Sequence, residues 1–244
     1  RATGVLDFGT GCGSVVPWRH AHRGHGMTRV LIADDHPLFR SALQLALDAC
    51  VPDADVLEAD DLDRTRELLS ADRPVDLLLL DLHMPGSNGL TGLAGIRCAH
   101  PDVAIVVISA NEDPAVIRRA LDHGAAGFIP KSAGLDVLTE AVTAVLACRT
   151  WVPPHLHRTV EAMPDEDREL AERIARLTPQ QFRVLELVAD GRLNKQIADR
   201  LGIQERTVKA HMSEIFAKLA VRNRTQAGVA FRRLELADPT TIRA

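Results

Sequence analysis

Cysteine is scarce in this 244-residue chain, and Cys12, Cys50, Cys98 and Cys148 form no CxxC pair. That spacing excludes the common zinc and dithiol motifs and suits a reducing compartment, so a cytoplasmic location is expected. Long apolar runs are also missing. The longest, around Val75 to Leu80, is broken by Asp76 and closed by Asp81, whereas a membrane-spanning helix needs roughly 18 or more apolar residues. No membrane partner is expected. Residues 1–26, rich in Gly and His, lack both hydrophobic periodicity and a secretory-signal pattern, and read as a disordered leader ahead of Met27. Their His20, His22 and His25 carry no metal-binding function beyond adventitious contact. No internal repeat is visible.

What is present is ample apolar material. With 46% hydrophobic residues, 244 positions suffice for two domains, each burying its own core. The net charge of −4 conceals a division. Residues 27–150 hold 10 basic and 19 acidic side chains, net −9, while residues 178–244 hold 12 basic and 7 acidic, net +5. An acidic front and a basic back fit a cation-binding module joined to a nucleic-acid-binding one.

From Arg29 short β-branched runs alternate with amphipathic stretches of helical period, the pattern of a parallel sheet with helices on both faces. Strands are expected at Val30–Ala33, Ala54–Glu58, Val75–Leu80, Val103–Ser109 and Gly127–Ile129, with helices at 37–49, 61–70, 89–99, 114–122 and 134–148. Residues 150–176 contain Pro153-Pro154, Pro164 and a charged stretch of mixed sign, Asp165 to Arg176, which reads as a linker with an exposed helix. Four helices without a strand follow, at 178–190, 194–201, 205–219 and 223–235.

In an open parallel sheet, ligands sit beyond the carboxyl ends of the strands. Those ends carry Asp34-Asp35, Asp81, Ser109-Ala110 and Pro130-Lys131. Three carboxylates in one crevice repel each other and call for a hard divalent cation, Mg²⁺ before others. Phosphoryl transfer rests on positioning and on stabilising equatorial oxygens. Asp81 suits the in-line nucleophile, Lys131 the cation, Ser109 the hydroxyl, and small Ala110 leaves room for entry.

The segments Ile32-Ala33-Asp34-Asp35-His36, Leu80-Asp81-Leu82-His83-Met84-Pro85-Gly86, Ile108-Ser109-Ala110 and Phe128-Ile129-Pro130-Lys131 give residues 28–148 a resemblance to CheY-like receiver domains. The resemblance implies a five-stranded doubly wound sheet of order 2-1-3-4-5 and phosphorylation of Asp81. It further implies Mg²⁺ held by Asp35, Asp81 and the backbone carbonyl of His83, with Asp34 assisting, and a switch pair of Ser109 and Phe128. His83 and Asn111 would tune the phosphate lifetime. His36 is read as capping or packing at the first helix.

In the basic back, Thr178-Pro179-Gln180-Gln181 reads as a capping box with proline at the first helical position. Asp190-Gly191 closes that helix, Asn194 is expected to cap the next, and Leu201-Gly202-Ile203 is a tight turn of helix-turn-helix spacing. On a helical wheel Val208, Met212, Ile215 and Leu219 form a buried stripe. Opposite lie Arg206, Lys209, Ala210, Ser213 and Ala217, suited to a major groove, with Thr207, His211 and Lys218 on a phosphate-facing flank. Residues 177–232 resemble the LuxR-type helix-turn-helix through Asn194-Lys195-Gln196-Ile197-Ala198, Thr207-Val208-Lys209-Ala210-His211 and Arg222-Asn223-Arg224-Thr225-Gln226-Ala227. By that resemblance Lys209, Ala210 and Ser213 face base edges and the last helix supplies a dimer contact. Gln204 departs from the usual capping Ser, so a weaker cap is expected there.

The boundaries expected are 1–26 leader, 27–149 receiver, 150–176 linker and 177–244 DNA-binding domain. Together they resemble the NarL/FixJ class of two-component response regulators. That resemblance implies a transcription factor phosphorylated by a sensor histidine kinase, dimeric when phosphorylated, acting on double-stranded promoter DNA, with RNA polymerase as a further contact. No turnover is expected beyond Mg²⁺-dependent self-phosphorylation and slow autodephosphorylation. A phosphatase with an aspartyl-phosphate intermediate is the rival chemistry, but it usually needs an Asp where His83 stands. A receiver acting through protein contacts or RNA is the other.

Overall fold

The computed structural model describes residues 5–6, 27–163 and 167–235. The strands are β1 (Val5–Leu6), β2 (Arg29–Ala33), β3 (Asp55–Ala59), β4 (Leu77–Asp81), β5 (Ala104–Ser109), β6 (Gly127–Pro130) and β7 (Thr150–Trp151). Helices α1 (Pro37–Cys50), α2 (Leu62–Leu69), α3 (Leu90–Ala99), α4 (Pro114–Asp122) and α5 (Leu135–Leu146) alternate with β2 to β7. The sheet order is β1-β7-β6-β5-β4-β2-β3, so β3-β2-β4-β5-β6 is the expected 2-1-3-4-5 arrangement, all parallel.

Two additions extend that sheet. Trp151 pairs in parallel with Gly127, and its ring is wholly buried. Gly127 permits the approach, because a Cβ there would stand 2.9 Å from the Trp151 carbonyl oxygen. The first residues of the expected linker therefore belong to the sheet. On its free edge Val5–Leu6 pair antiparallel with Thr150–Trp151, which corrects the reading of these two leader residues as disordered: the unpaired N–H and C=O groups of an edge strand are a template for another strand. The rest of the leader, with His20, His22 and His25, lies outside the described residues, as does Pro164.

β4 is buried along its whole length, as a central parallel strand covered on both faces must be. α1 and α5 cover one face around Val30, Ile32, Leu77, Leu79 and Trp151. α2, α3 and α4 cover the other around Leu31, Leu78, Leu80 and Val107. This second core does not stop at the sheet, but continues through Val160 and Ile174 into the helical half.

The connecting segment forms a 3₁₀ turn at Pro154–Leu156, then α6 (His157–Glu161) and α7 (Arg168–Ala175). α7 was expected to be exposed, yet Ala171 and Ile174 are buried and it packs on α3 and α10. The mixed charges cover only its outer side. The helical half is α8 (Pro179–Ala189), α9 (Asn194–Leu201), α10 (Glu205–Leu219) and α11 (Arg224–Arg232). Thr178 and Gln181 complete the capping box of α8. Gly202, at φ +64°, takes the left-handed conformation that ends α9, which a side chain with a Cβ adopts at a cost.

Asn194 does not cap α9. It is the first helical residue, and the Leu193 amide donates instead to Gln196 Oε1 at 2.8 Å. The Asn194 carboxamide oxygen accepts from Arg224 on α11. Gln204 precedes α10 without a side-chain cap, as its departure from Ser implies.

Candidate functional site

Strand ends gather the acidic pocket. Asp34 and Asp35 follow β2, Asp81 and Ser109 are the last residues of β4 and β5, and Lys131 follows β6. Asp34 is wholly buried and Asp81 is 2% exposed, while Asp35 is half-buried. Lys131 Nζ lies 2.7 Å from Asp81 Oδ2 and 2.8 Å from Asp34 Oδ2, bridging the two. Asp81 Oδ1 accepts the His83 backbone N–H at 3.1 Å.

Two opposed effects set the charges. Burial pushes the Asp81 carboxyl up from its ordinary value, and this outweighs the hydrogen bonds from Lys131 and His83 that favour the carboxylate. Burial works against the Lys131 ammonium as well, but the adjoining carboxylates of Asp34 and Asp81 prevail and its pKa stands above the ordinary lysine value. The pocket thus keeps a fixed cation beside a carboxylate that gains from additional positive charge.

Oxygen atoms of Asp34, Asp35 and Asp81 and a ring nitrogen of His36 lie within 4.8 Å of one another. Asp34 Oδ2 and Asp35 Oδ1 are buried and receive no aligned hydrogen bond among the described residues, although Lys131 and His36 Nδ1 meet them at ion-pair distance. Three carboxylates gathered this closely are the donor set a hard divalent cation takes, so the residues fit Mg²⁺.

Of the two roles expected of His36, capping or packing at the first helix, capping is not seen. The residue stands at the cap position of α1 without a side-chain cap bond, and its Nδ1 lies 2.6 Å from Asp35 Oδ1, inside the acidic cluster. Phe39 was not singled out by sequence, yet the Lys131 ammonium sits 5.3 Å from its ring centroid. No periodicity marks such a contact, which depends on where α1 begins.

Ser109 is fully buried, and its Oγ accepts the Asn111 backbone N–H at 3.1 Å. Phe128 is fully buried opposite Val107 in the ladder, packed in the core that α4 closes. Asn111 Oδ1 accepts from Asp113 N, and Asp113 Oδ1 caps α4 by accepting from Ala115 N. A run of hydrogen bonds therefore joins the Ser109 hydroxyl to the start of α4.

In the helical half, Val208, Met212, Ile215 and Leu219 are buried, and Arg206, Lys209, Ala210, Ser213 and Ala217 are exposed. Lys209 reaches Glu205 one turn earlier at 3.2 Å but stays largely in solvent. Thr207 and His211 are half-buried on the flank. Lys218 is set apart from them: its ammonium donates to Gln181 Oε1 of α8 at 2.6 Å, and Gln181 Nε2 in turn donates to Glu214. The α/β half docks through α3 on α7 and α8, with Gly95 against Phe182 and Cys98 Sγ on the Ile174 carbonyl. The exposed face of α10 stays clear of that contact.

Comparison with known proteins gives both halves a family. Residues 30–143 match the response regulator receiver domain, and residues 175–231 match the bacterial regulatory proteins of the luxR family. A glycerol metabolism activator of Pseudomonas putida is 41% identical, over 82% of this chain and 93% of its own length. The nitrate/nitrite response regulator NarL of Escherichia coli K12 is 35% identical, over 82% and 93% respectively. Among solved structures, the RcsB response regulator of Salmonella typhimurium is 27% identical, with a TM-score of 0.52 over 82% of this chain and 95% of that one. A complex of RcsB with DNA gives 26% identity and a TM-score of 0.51, over 86% and 99%.

Proposed function

The chain belongs to the response regulators that join a receiver domain to a luxR-type DNA-binding domain, and from that premise we propose that Asp81 is the phosphoacceptor and α10 the reader of promoter DNA. The observation that carries this is the meeting of Asp81 with Lys131, Asp34 and Asp35 beyond the strand ends.

A sensor histidine kinase presents a phosphorylated imidazole. Asp81 attacks phosphorus in line, a carboxylate O–P bond forms, the N–P bond breaks, and the imidazole leaves. Lys131 neutralises an equatorial oxygen, and Asp35, Asp81 and the His83 carbonyl, with Asp34 assisting, would hold Mg²⁺. The cation supplies charge neutralisation for the phosphoryl group. Ser109 then exchanges its bond to Asn111 for one to a phosphoryl oxygen, and Phe128 follows into the space released.

Arg206, Lys209, Ala210 and Ser213 enter the major groove, Thr207 and His211 approach phosphates, and α11 pairs two copies on successive half-sites. Both the kinase and the promoter place this work in the cytoplasm, with RNA polymerase as the downstream contact.

A small phosphodonor with Mg²⁺ tests the acceptor. Wild type should take up label with Mg²⁺ present and none when Mg²⁺ is chelated beforehand, and Asp81→Asn should take up none. Label retained by Asp81→Asn means another residue is the acceptor.

A further inference from the structure

We propose that Asp167 is a clasp through which α4 of the receiver holds the end of α11, so that events at Asp81 reach the DNA-binding half by loosening one buried carboxylate. The regulatory part of this rests on Asp81 being the acceptor.

Asp167 lies in the connecting segment, and its side chain is only 9% exposed. It accepts from Arg119 Nε on α4 and, at 2.6 Å, from Arg233 Nη2 just beyond α11. Arg119 also donates through Nη2 to the Arg233 carbonyl, so the two arginines are tied to each other as well as to the acid. A second bond runs beside the clasp, from the Leu90 amide at the start of α3 to the Leu234 carbonyl at 2.9 Å. A desolvated carboxylate shared by two guanidinium groups is costly to break by halves, since either arginine's departure leaves charge buried without full compensation.

The input end is on the same helix. α4 begins where the hydrogen bonds Ser109–Asn111–Asp113–Ala115 deliver it. If the Ser109 hydroxyl turns to a phosphoryl group, it releases the Asn111 amide and the cap of α4 loses its anchor. α6 and α7 both pack on α4, so a shift of that helix moves the segment that carries Asp167 as well as Arg119. The groove-facing side of α10 is already open, so the clasp does not act by covering it. It fixes how α11 and the recognition helix are oriented to the receiver, and thereby whether two copies can meet successive half-sites.

Asp167→Asn removes the charge while keeping the shape, and Arg119→Met removes the α4 partner. Both are compared with wild type in the full chain, with circular dichroism as the check that each folds. In unphosphorylated protein, amide exchange at Leu90 and over α11 should quicken at least 5-fold in both variants, while β4 and β5 keep their protection. Duplex-DNA affinity is then read with and without a small phosphodonor. The phosphorylation-dependent ratio seen in wild type should fall to within about 2-fold of one in Asp167→Asn, through tighter binding by the unphosphorylated variant, with labelling of Asp81 unchanged. Unchanged exchange at Leu90 and α11 overturns the clasp, and so does a wild-type ratio preserved in a labelled Asp167→Asn. Failure of wild type to take label overturns the acceptor assignment instead, and the exchange comparison still decides the clasp. A variant that does not fold passes the decision to the other.

Discussion

At the end of α4 the His123 ring is 5% exposed, and its Nε2 meets no hydrogen-bond partner among the described residues. Burial, which outweighs the pull of nearby Asp167 and is joined by the repulsion of Arg119 and Arg233, brings its pKa down to about 4. The unfolded chain takes up a proton near the ordinary histidine value of about 6.5, where the folded protein does not, so stability falls as pH drops through that window and the loss is complete below about 4. The full effect is on the order of 3 kcal/mol at 1.36 kcal/mol per pH unit. His123→Leu should therefore flatten the pH dependence of urea midpoints between pH 6.5 and 4 relative to wild type, and an unaltered slope excludes His123 as its source. At this scale the acidic pocket was legible, because charge at a strand's carboxyl end stands out against an apolar run. His36 was not, since a cap position can turn its ring outward or into the cluster. Neither was the fate of Lys218, whose partner Gln181 is distant in sequence and close only after α8 and α10 pack.

Among the elements, α3 packs directly on α7 and α8, and Gly95 sets its closeness to α8. A Cβ at Gly95 would stand 2.8 Å from Phe182 Cε1, while the Phe182 ring is itself held against Phe231 at a centroid distance of 5.6 Å. Gly95→Ala gains roughly 0.5–1 kcal/mol of helix propensity within α3 but overpacks the joint at a cost of about 1–3 kcal/mol. Hydrogen exchange should show α8 less protected and α3 unchanged or more protected, and equal protection of α8 in both proteins excludes a tight joint. The helices and five strands were readable because each spans enough residues to display its period. Two-residue β1 and β7 were not, since a strand that short shows no alternation. α7 was misjudged because its two buried residues, Ala171 and Ile174, are outnumbered by charges on the same helix.

Across the whole molecule, one apolar core runs from the receiver sheet into α8, α10 and α11. The sequence showed two domains and their charge division but not this continuity, since contacts between Gly95 and Phe182, or Asp167 and Arg233, leave no local pattern. The consequence is a regulator in which the outer face of α10 is open while the helix bundle behind it is packed on the receiver. The most direct test is duplex-DNA affinity of the full chain, measured on a sequence enriched by the protein itself, before and after a small phosphodonor with Mg²⁺. The account predicts that wild type tightens about 10-fold or more, a change of roughly 1.4 kcal/mol, and that Asp81→Asn does not respond. An Asp81→Asn protein that tightens as wild type does, or a labelled wild type whose affinity stays the same, contradicts it.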